Sequence, residues 1–404
     1  MPETNPPHRV PLEGRPLRLF IVAGEESGDQ LGAALIRALP GVIDGPVEFA
    51  GIGGERMARA GVASLFPLSD IAVMGMTEVL ARLPTILRRI REAADAAIAA
   101  EPDAVIIIDS PDFTHRVAKR IRKARPDLPI VDYVSPSVWA WRPGRARKMA
   151  AYVDHLLAIL PFEPDAHRRL GGPPCTYVGH PLLDHLAELR PAPGERARLG
   201  DGPPVLLVLP GSRRSEVSRL MEDFGRTLPL IVARTGPLEV LLPAVPHLAD
   251  RIEAETAGWP VKPVVVRGEA GKRAAFRRAH AALAASGTVS LELALAGVPM
   301  AIAYRLDAIY RQLKKLNRVL KLARVGSMVL PNIILGENVV PEFLDDDAAP
   351  EKLADAVVPL LSDSPERRRQ VEAFATLDTV MRLEGGISPS RKAAEVVADV
   401  LHRR

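Results

Sequence analysis

Residues 286–305 read SGTVSLELALAGVPMAIAYR, and the punctuation of this stretch decides the fold class. It follows an Ala-rich run at 279–285 and opens on Ser286-Gly287-Thr288. Val289 and Leu293, and Leu291 and Leu295, then stand one helical turn apart. Gly297 is placed to stop the helix and Pro299 stands just beyond it. MAIAY at 300–304 reads as a buried strand. Strand, small-residue turn, helix and strand make one βαβ step of a parallel sheet.

The Ser-Gly-Thr turn also carries a chemical expectation. Amides at a helix start are unpaired, and the helix dipole favours negative charge there. Glu292 lies four residues after Thr288, where a capping box needs three. A carboxylate beside a phosphate cradle suits the two hydroxyls of a ribose. This stretch alone leaves both a nucleotide site and a plain βα turn with a surface Glu open.

The bulk composition is that of an α/β protein. The chain has 404 residues, 47% apolar and 25% charged, so two domains are the default. A net charge of +4 is a weak excess for that length; it argues against a dedicated nucleic-acid binder and leaves room for a local basic patch. The single cysteine, Cys175, excludes an intrachain disulfide and a Cys-based zinc site, and fits a reducing compartment. The first fifteen residues are polar and Pro-rich, so no secretory signal is expected. The uncharged runs fall short of the roughly 20 residues that span a bilayer.

Working outward, LRLFIVA at 17–23 is a buried strand ending in Gly24-Glu25-Glu26-Ser27-Gly28-Asp29. The loop is neither GxGxxG nor a Walker loop. A second loop, GIGG at 51–54, is followed by Arg56 where a dinucleotide fingerprint needs a small residue, which disfavours NAD. AVIII at 104–108 is the clearest strand, and it ends at Asp109-Ser110-Pro111-Asp112. Asp112 fits the cap of the next helix, so Asp109 is read as catalytic, at the strand end where α/β folds place chemistry.

Residues 74–90 carry Met76, Val79, Leu80, Leu83 and Leu87 at helical spacing, with Arg82, Arg88 and Arg89 between them. This reads either as a core-facing helix with a solvated basic face or as an amphipathic surface on anionic lipid. Pro84 is expected to break or restart it. His180, just past a strand, reads as structural. In the second half, VLLVL at 205–209 leads into Pro210-Gly211-Ser212-Arg213-Arg214, a second phosphate-type turn. Asp345-Asp346-Asp347 looks like a metal cluster but precedes AAPE and reads as an acidic helix start. Ser388-Pro389 opens the last helix as N-cap and N1.

Two parallel-sheet halves, one with a phosphate cradle and ribose-type Glu, the other with a strand-end Asp, fit a nucleotide-sugar glycosyltransferase with two Rossmann-like domains facing across a cleft. The motifs also carry a resemblance. AGEESGDQLGA at 23–33, GIGG at 51–54, IAVMGMTEVL at 71–80, IDSPDF at 108–113 and YVSPSVWAWR at 133–142 resemble the lipid-A-disaccharide synthase family, a GT-B family. So do LPFE at 160–163, VGHP at 178–181, LPGSR at 209–213, ASGTVSLE at 285–292, AYR at 303–305 and LPN at 330–332.

The resemblance implies an inverting transfer from UDP-2,3-diacylglucosamine to the 6-hydroxyl of 2,3-diacylglucosamine 1-phosphate, forming a β(1→6) disaccharide and UDP. It implies Asp109 as base, Arg213, Ser286, Gly287 and Thr288 on the diphosphate, and Glu292 on the ribose. Glu25, Ser27, Tyr304 and Asn332 would line the cleft. Met76, Val79, Leu80, Leu83 and Arg88 would touch the inner face of the cytoplasmic membrane as a peripheral contact. No cofactor, metal or nucleic acid is expected, and a homo-oligomer stays open.

The implied division is a tail at 1–15, an acceptor-side domain at 16–190, a linker at 191–204, a UDP-sugar domain at 205–362 and helices at 363–404 that pack back on the first domain. The rival readings are another GT-B UDP-GlcNAc transferase or 2-epimerase, and a non-enzymatic lipid or nucleotide sensor.

Overall fold

LRLFIVA forms strand β1, Leu17–Ala23, and beyond the exposed Arg18 its alternation shows why the run is apolar. Leu19, Ile21 and Ala23 pack into a core on one face of the sheet, and Phe20 and Val22 into a core on the other. Strand β3, Ala104–Ile108, repeats the pattern, with Ile106 and Ile108 on one side and Val105 and Ile107 on the other. Each fully buried side chain of this kind contributes about 1.5–3 kcal/mol, which makes the central strands the anchor of the fold. The computed structural model describes residues 15–72, 76–305 and 327–403, with backbone alone at 76–81.

The chain divides into two compact units: Met1–Asp184 with Arg382–Arg404, and His185–Met381. The first contains a parallel six-stranded sheet ordered β2-β1-β3-β4-β5-β6. Its remaining strands are β2 (Val47–Ile52), β4 (Ile130–Tyr133), β5 (His155–Ala158) and β6 (Cys175–Tyr177). The second contains a parallel six-stranded sheet ordered β12-β11-β10-β7-β8-β9. These strands are β7 (Val205–Leu209), β8 (Glu239–Ala244), β9 (Val264–Arg267), β10 (Ala281–Ala285), β11 (Met300–Tyr304) and β12 (Glu342–Leu344). The fold is the expected pair of Rossmann-like sheets.

The strand order reverses between β1 and β3 in one sheet and between β7 and β10 in the other. Loops leaving the carboxyl ends of such strand pairs splay apart and leave a crevice, the usual ligand position in open α/β sheets.

The opening stretch folds as its punctuation requires. Helix Val289–Leu295 ends at Gly297, whose φ of 66° is the left-handed conformation of a helix stop. Val298 N–H returns to Leu293 C=O at 2.9 Å. Helix Pro389–His402 starts with the Ser388 hydroxyl accepting from Arg391 N–H, and its Ala393, Ala394 and Val397 enter the β1-side core of the first unit. Helix Pro365–Met381 belongs to the second unit, where buried Gln370 bonds both backbone groups of Met300.

Two local expectations are corrected. Helix Met76–Ala99 runs unbroken through Pro84. Pro84 is exposed, so the carbonyl one turn earlier, deprived of its N–H partner, can be met by water. Asp112 is not the cap of helix Pro111–Ala124: Ser110 holds that position, Pro111 pre-sets the first turn, and Asp112 pairs with Arg145 at 2.7 Å.

Candidate functional site

In the first unit, the β1 and β3 loops bring Ser27 and Asp109 together. Ser27 Oγ–H donates to Asp109 Oδ2 at 2.9 Å, and Ser110 N–H donates to Asp109 Oδ1 at 2.7 Å. Asp109 and Ser110 both adopt left-handed conformations, with φ of 55° and 47°. Two consecutive non-glycine residues in that region cost free energy, and such strain concentrates where a side chain must be aimed. Gly24 makes the arrangement feasible, because a Cβ there would lie 2.1 Å from Ser110 Cβ. Glu25 is the half-buried residue that precedes helix Glu26–Ala38.

The neighbouring motifs turn out to be scaffold. Asp29 is buried and accepts from the amides of Gly54, Arg56 and Met57, at 2.7, 3.0 and 3.0 Å. The GIGG loop and the helix start after it are therefore held by a carboxylate of this chain. Buried Glu163, from LPFE, accepts from Leu160 N–H and Trp139 Nε1–H and so pins the SPSVWAW loop. Burial pushes its carboxyl up to about 7. His180 is buried, its ring drops to about 4 for the same reason, and its Nδ1 accepts from Leu182 N–H.

In the second unit, a cavity of about 330 Å³ opens at the β7/β10 reversal. It gathers Arg213, Ser286, Gly287, Thr288 and Glu292. The amides of Gly287, Thr288 and Val289 have no partner among the described residues. Donors left open on a cavity wall await an acceptor. Tyr304 and Asn332 are not part of this lining. Asn332 is buried, and its amide is engaged by Val339 N–H, Val340 N–H and Val340 C=O, so it braces its own loop.

Three lining residues escape a sequence reading. Glu216 caps the helix after the Gly-Ser turn by accepting from Ser212 N–H and Arg213 N–H, at 3.1 and 3.2 Å. Those amides are thus occupied, and Arg213 offers the cavity its guanidinium, which touches Glu216 at 3.2 Å. Lys272 pairs with Glu292 at 2.6 Å, and Glu269 stands beside it. The signal for Lys272 was its place one turn into helix Gly268–Arg278, which follows the carboxyl end of β9.

On the membrane question, Leu83 and Leu87 are exposed, at 38% and 37%, and Arg88 is exposed beside them. Half-buried Ile86 packs against the core, and from Ile90 on the helix enters it through Ala93, Ala94 and Ala97. Arg89 is bound to Asp70 and Glu92 and stacks on Phe66, so it serves the fold. The side chains of Met76, Val79 and Leu80 lie outside the described residues. In the acidic run, Asp347 pairs with Lys352 at 2.5 Å, and no three His, Cys, Asp or Glu side chains group as a metal site among the described residues. No described helix is long and apolar enough to cross a membrane.

Residues 19–395 match the Lipid-A-disaccharide synthetase family. The chain belongs to this family. The lipid-A-disaccharide synthase of Nitrobacter hamburgensis is 56% identical over 385 residues, covering 95% of this chain and 96% of that protein. That of Ruegeria pomeroyi is 43% identical, with 96% of each chain covered. As a member of the family the protein is a glycosyltransferase of the lipid A disaccharide step.

Solved structures place the family in the GT-B fold. The calicheamicin glycosyltransferase aligns with a TM-score of 0.57 at 18% identity, covering 96% of this chain and 99% of that one. MurG of Acinetobacter baumannii aligns at 0.54 and 14%, covering 96% and 100%. The UDP-GlcNAc 2-epimerase of Methanocaldococcus jannaschii, solved with UDP-GlcNAc and UDP, aligns at 0.53 and 13%, also covering 96% and 100%. The fold alone does not separate transferases from epimerases; membership of the family does.

Proposed function

We propose that the protein moves 2,3-diacylglucosamine from its UDP ester to the 6-hydroxyl of 2,3-diacylglucosamine 1-phosphate, with inversion, and releases UDP. The observation that carries this reading is that both strand-order reversals hold the groups the reaction needs: a fixed carboxylate at one and an open-amide cavity at the other. Asp109 takes the proton of the acceptor 6-hydroxyl as that oxygen bonds to the donor anomeric carbon. The bond to the UDP oxygen breaks, and its electron pair leaves with UDP. One displacement inverts the centre and needs one base. Ser27 and Ser110 N–H aim the carboxylate.

The departing diphosphate gains charge. The amides of Gly287, Thr288 and Val289 and the Arg213 guanidinium are placed to meet it. Glu292, held by Lys272, accepts from the ribose hydroxyls. Glu292→Gln and Arg213→Ala are each expected to weaken UDP binding about tenfold, the scale of one charge-assisted hydrogen bond. For 2′-deoxy-UDP the Glu292→Gln loss should shrink while the Arg213→Ala loss persists. Titration calorimetry with both nucleotides tests this; equal Glu292→Gln losses on the two would remove the ribose role.

Acyl-bearing substrates are met at a membrane surface, and we assign the contact to the start of helix Met76–Ala99, on the cytoplasmic side of the inner membrane. Exposed Leu83 and Leu87 supply apolar area, with Met76, Val79 and Leu80 preceding them in the sequence pattern. Arg88 meets anionic headgroups, at about 1 kcal/mol per cation near the surface. The Leu83→Ser/Leu87→Ser protein should sediment less with anionic vesicles yet keep its melting temperature. An unchanged sedimentation, or a large drop in melting temperature, would refute this contact.

A further inference from the structure

The first unit holds a second concavity that the chemistry above leaves unused. It measures about 530 Å³ and is lined by Arg116, Lys119, Arg142, Arg145, Lys148 and the single carboxylate of Asp112. Five cations against one acid leave this one pocket with an excess equal to the whole chain's net charge of +4. Arg145 is paired with Asp112. Arg116 and Lys148 have no partner among the described residues, and Lys119 and Arg142 touch only aromatic rings. Cations converging without counter-charge repel one another, and a bound anion relieves this.

The floor is built, not fluid. Tyr152 lies 3.0 Å from His115 Nδ1, and His115 Nε2 lies 3.0 Å from Asp132, all three buried. Lys119 Nζ sits 5.0 Å over the Tyr152 ring. Burial raises the Asp132 carboxyl above its usual range, against the opposing pull of His115. Trp141, outside the lining itself, is 52% exposed, and the guanidinium of the lining residue Arg142 stacks 4.0 Å over it. An aromatic beside a cationic cradle suits a ligand that carries both phosphate and apolar chains.

We propose that this pocket binds a terminal phosphomonoester, the phosphate carried by the acceptor sugar. This rests on the acceptor chemistry proposed above. The pocket wall is helix Pro111–Ala124, which begins directly after Asp109 and Ser110. From Ser110 to Arg116 the helix rises about 9 Å, at about 1.5 Å per residue. The anomeric phosphate on C1 and the 6-hydroxyl on the methylene of C5 flank the ring oxygen of one hexose, and side chains on a helix lean toward its N-terminus, so one sugar can present its phosphate to the cations and its hydroxyl toward Asp109. Arginine forks match phosphate oxygens, and a dianion matches the surplus of charge.

The test is the Arg116→Ala/Lys148→Ala protein, whose substituted side chains are exposed, with circular dichroism to confirm folding. In detergent micelles its KM for the acceptor should rise about tenfold or more while the donor KM stays unchanged, as loss of two charge-assisted contacts requires. Inorganic phosphate should compete with the acceptor on the native enzyme and lose that effect on the variant. An unchanged acceptor KM overturns the proposal. So does a variant that sediments less with phosphatidylglycerol vesicles while its micellar acceptor KM is unaltered, because the pocket then holds a membrane headgroup. Native enzyme that forms no disaccharide refutes the substrate reading. In that case, phosphate-dependent thermal protection present in the native protein and absent in the variant supports the anion site, and equal protection in both removes it.

Discussion

Asp109→Asn should lower kcat by roughly 100-fold or more and leave UDP affinity unchanged, the scale expected when a general base is lost. Asparagine keeps the size of the side chain; its Oδ1 can still accept from Ser110 N–H while its Nδ2–H donates to the Ser27 hydroxyl, so the left-handed turn should survive. What it cannot do is take the proton from the attacking hydroxyl. The effect should therefore fall on kcat, with little change in either KM. Stopped assays at saturating donor and acceptor, with UDP affinity measured separately, decide it. A variant with most of its activity would shift the base role to Asp112, whose pairing with Arg145 makes it the weaker candidate.

The second large effect is expected at a residue with no functional group. Gly24→Ala puts a methyl 2.1 Å from Ser110 Cβ and 2.8 Å from its Oγ. No rotamer change relieves a clash between two Cβ atoms, so one of the two loops must move. Ser110 follows Asp109 directly, and displacing a reacting group by about 1 Å costs about 100-fold in rate. Overpacking at such a contact adds about 1–3 kcal/mol of destabilisation. Removing the opposing Cβ in the Gly24→Ala/Ser110→Gly protein should restore much of the lost activity, because residues in contact couple strongly. Full activity in Gly24→Ala alone would show that the tight packing of the two loops is not needed to aim Asp109.

Much of this was legible in the sequence, for identifiable reasons. Central parallel strands are apolar on both faces, so β3, β7 and β11 stand out as uninterrupted runs at their true limits, and β1 does so apart from Arg18. Edge strands bury less: β12 has three residues, all half-buried, and no run marks it. Strand ends pointed to Asp109, Arg213 and the Ser286–Thr288 turn as candidate site residues, because chemistry sits where the sheet stops.

What hid were partners that depend on contact between distant segments. Glu216 and Asp29 look like surface acids until their accepted amides are seen. Lys272 meets Glu292 across 20 residues of sequence. Asn332 sits in a motif that suggested the cleft, yet its amide is fully engaged by its own loop. Pro84 looked like a break because a lone sequence does not show which helix face is solvated.

The most direct test of the account is to incubate the native protein with UDP-2,3-diacylglucosamine and 2,3-diacylglucosamine 1-phosphate and to follow products by mass and by the anomeric proton resonance. The account predicts one UDP for each tetra-acylated disaccharide phosphate, with a β linkage to the 6-position, and product formation reduced by roughly 100-fold in Asp109→Asn. UDP release without a disaccharide, an α linkage, or equal turnover in the variant would contradict it.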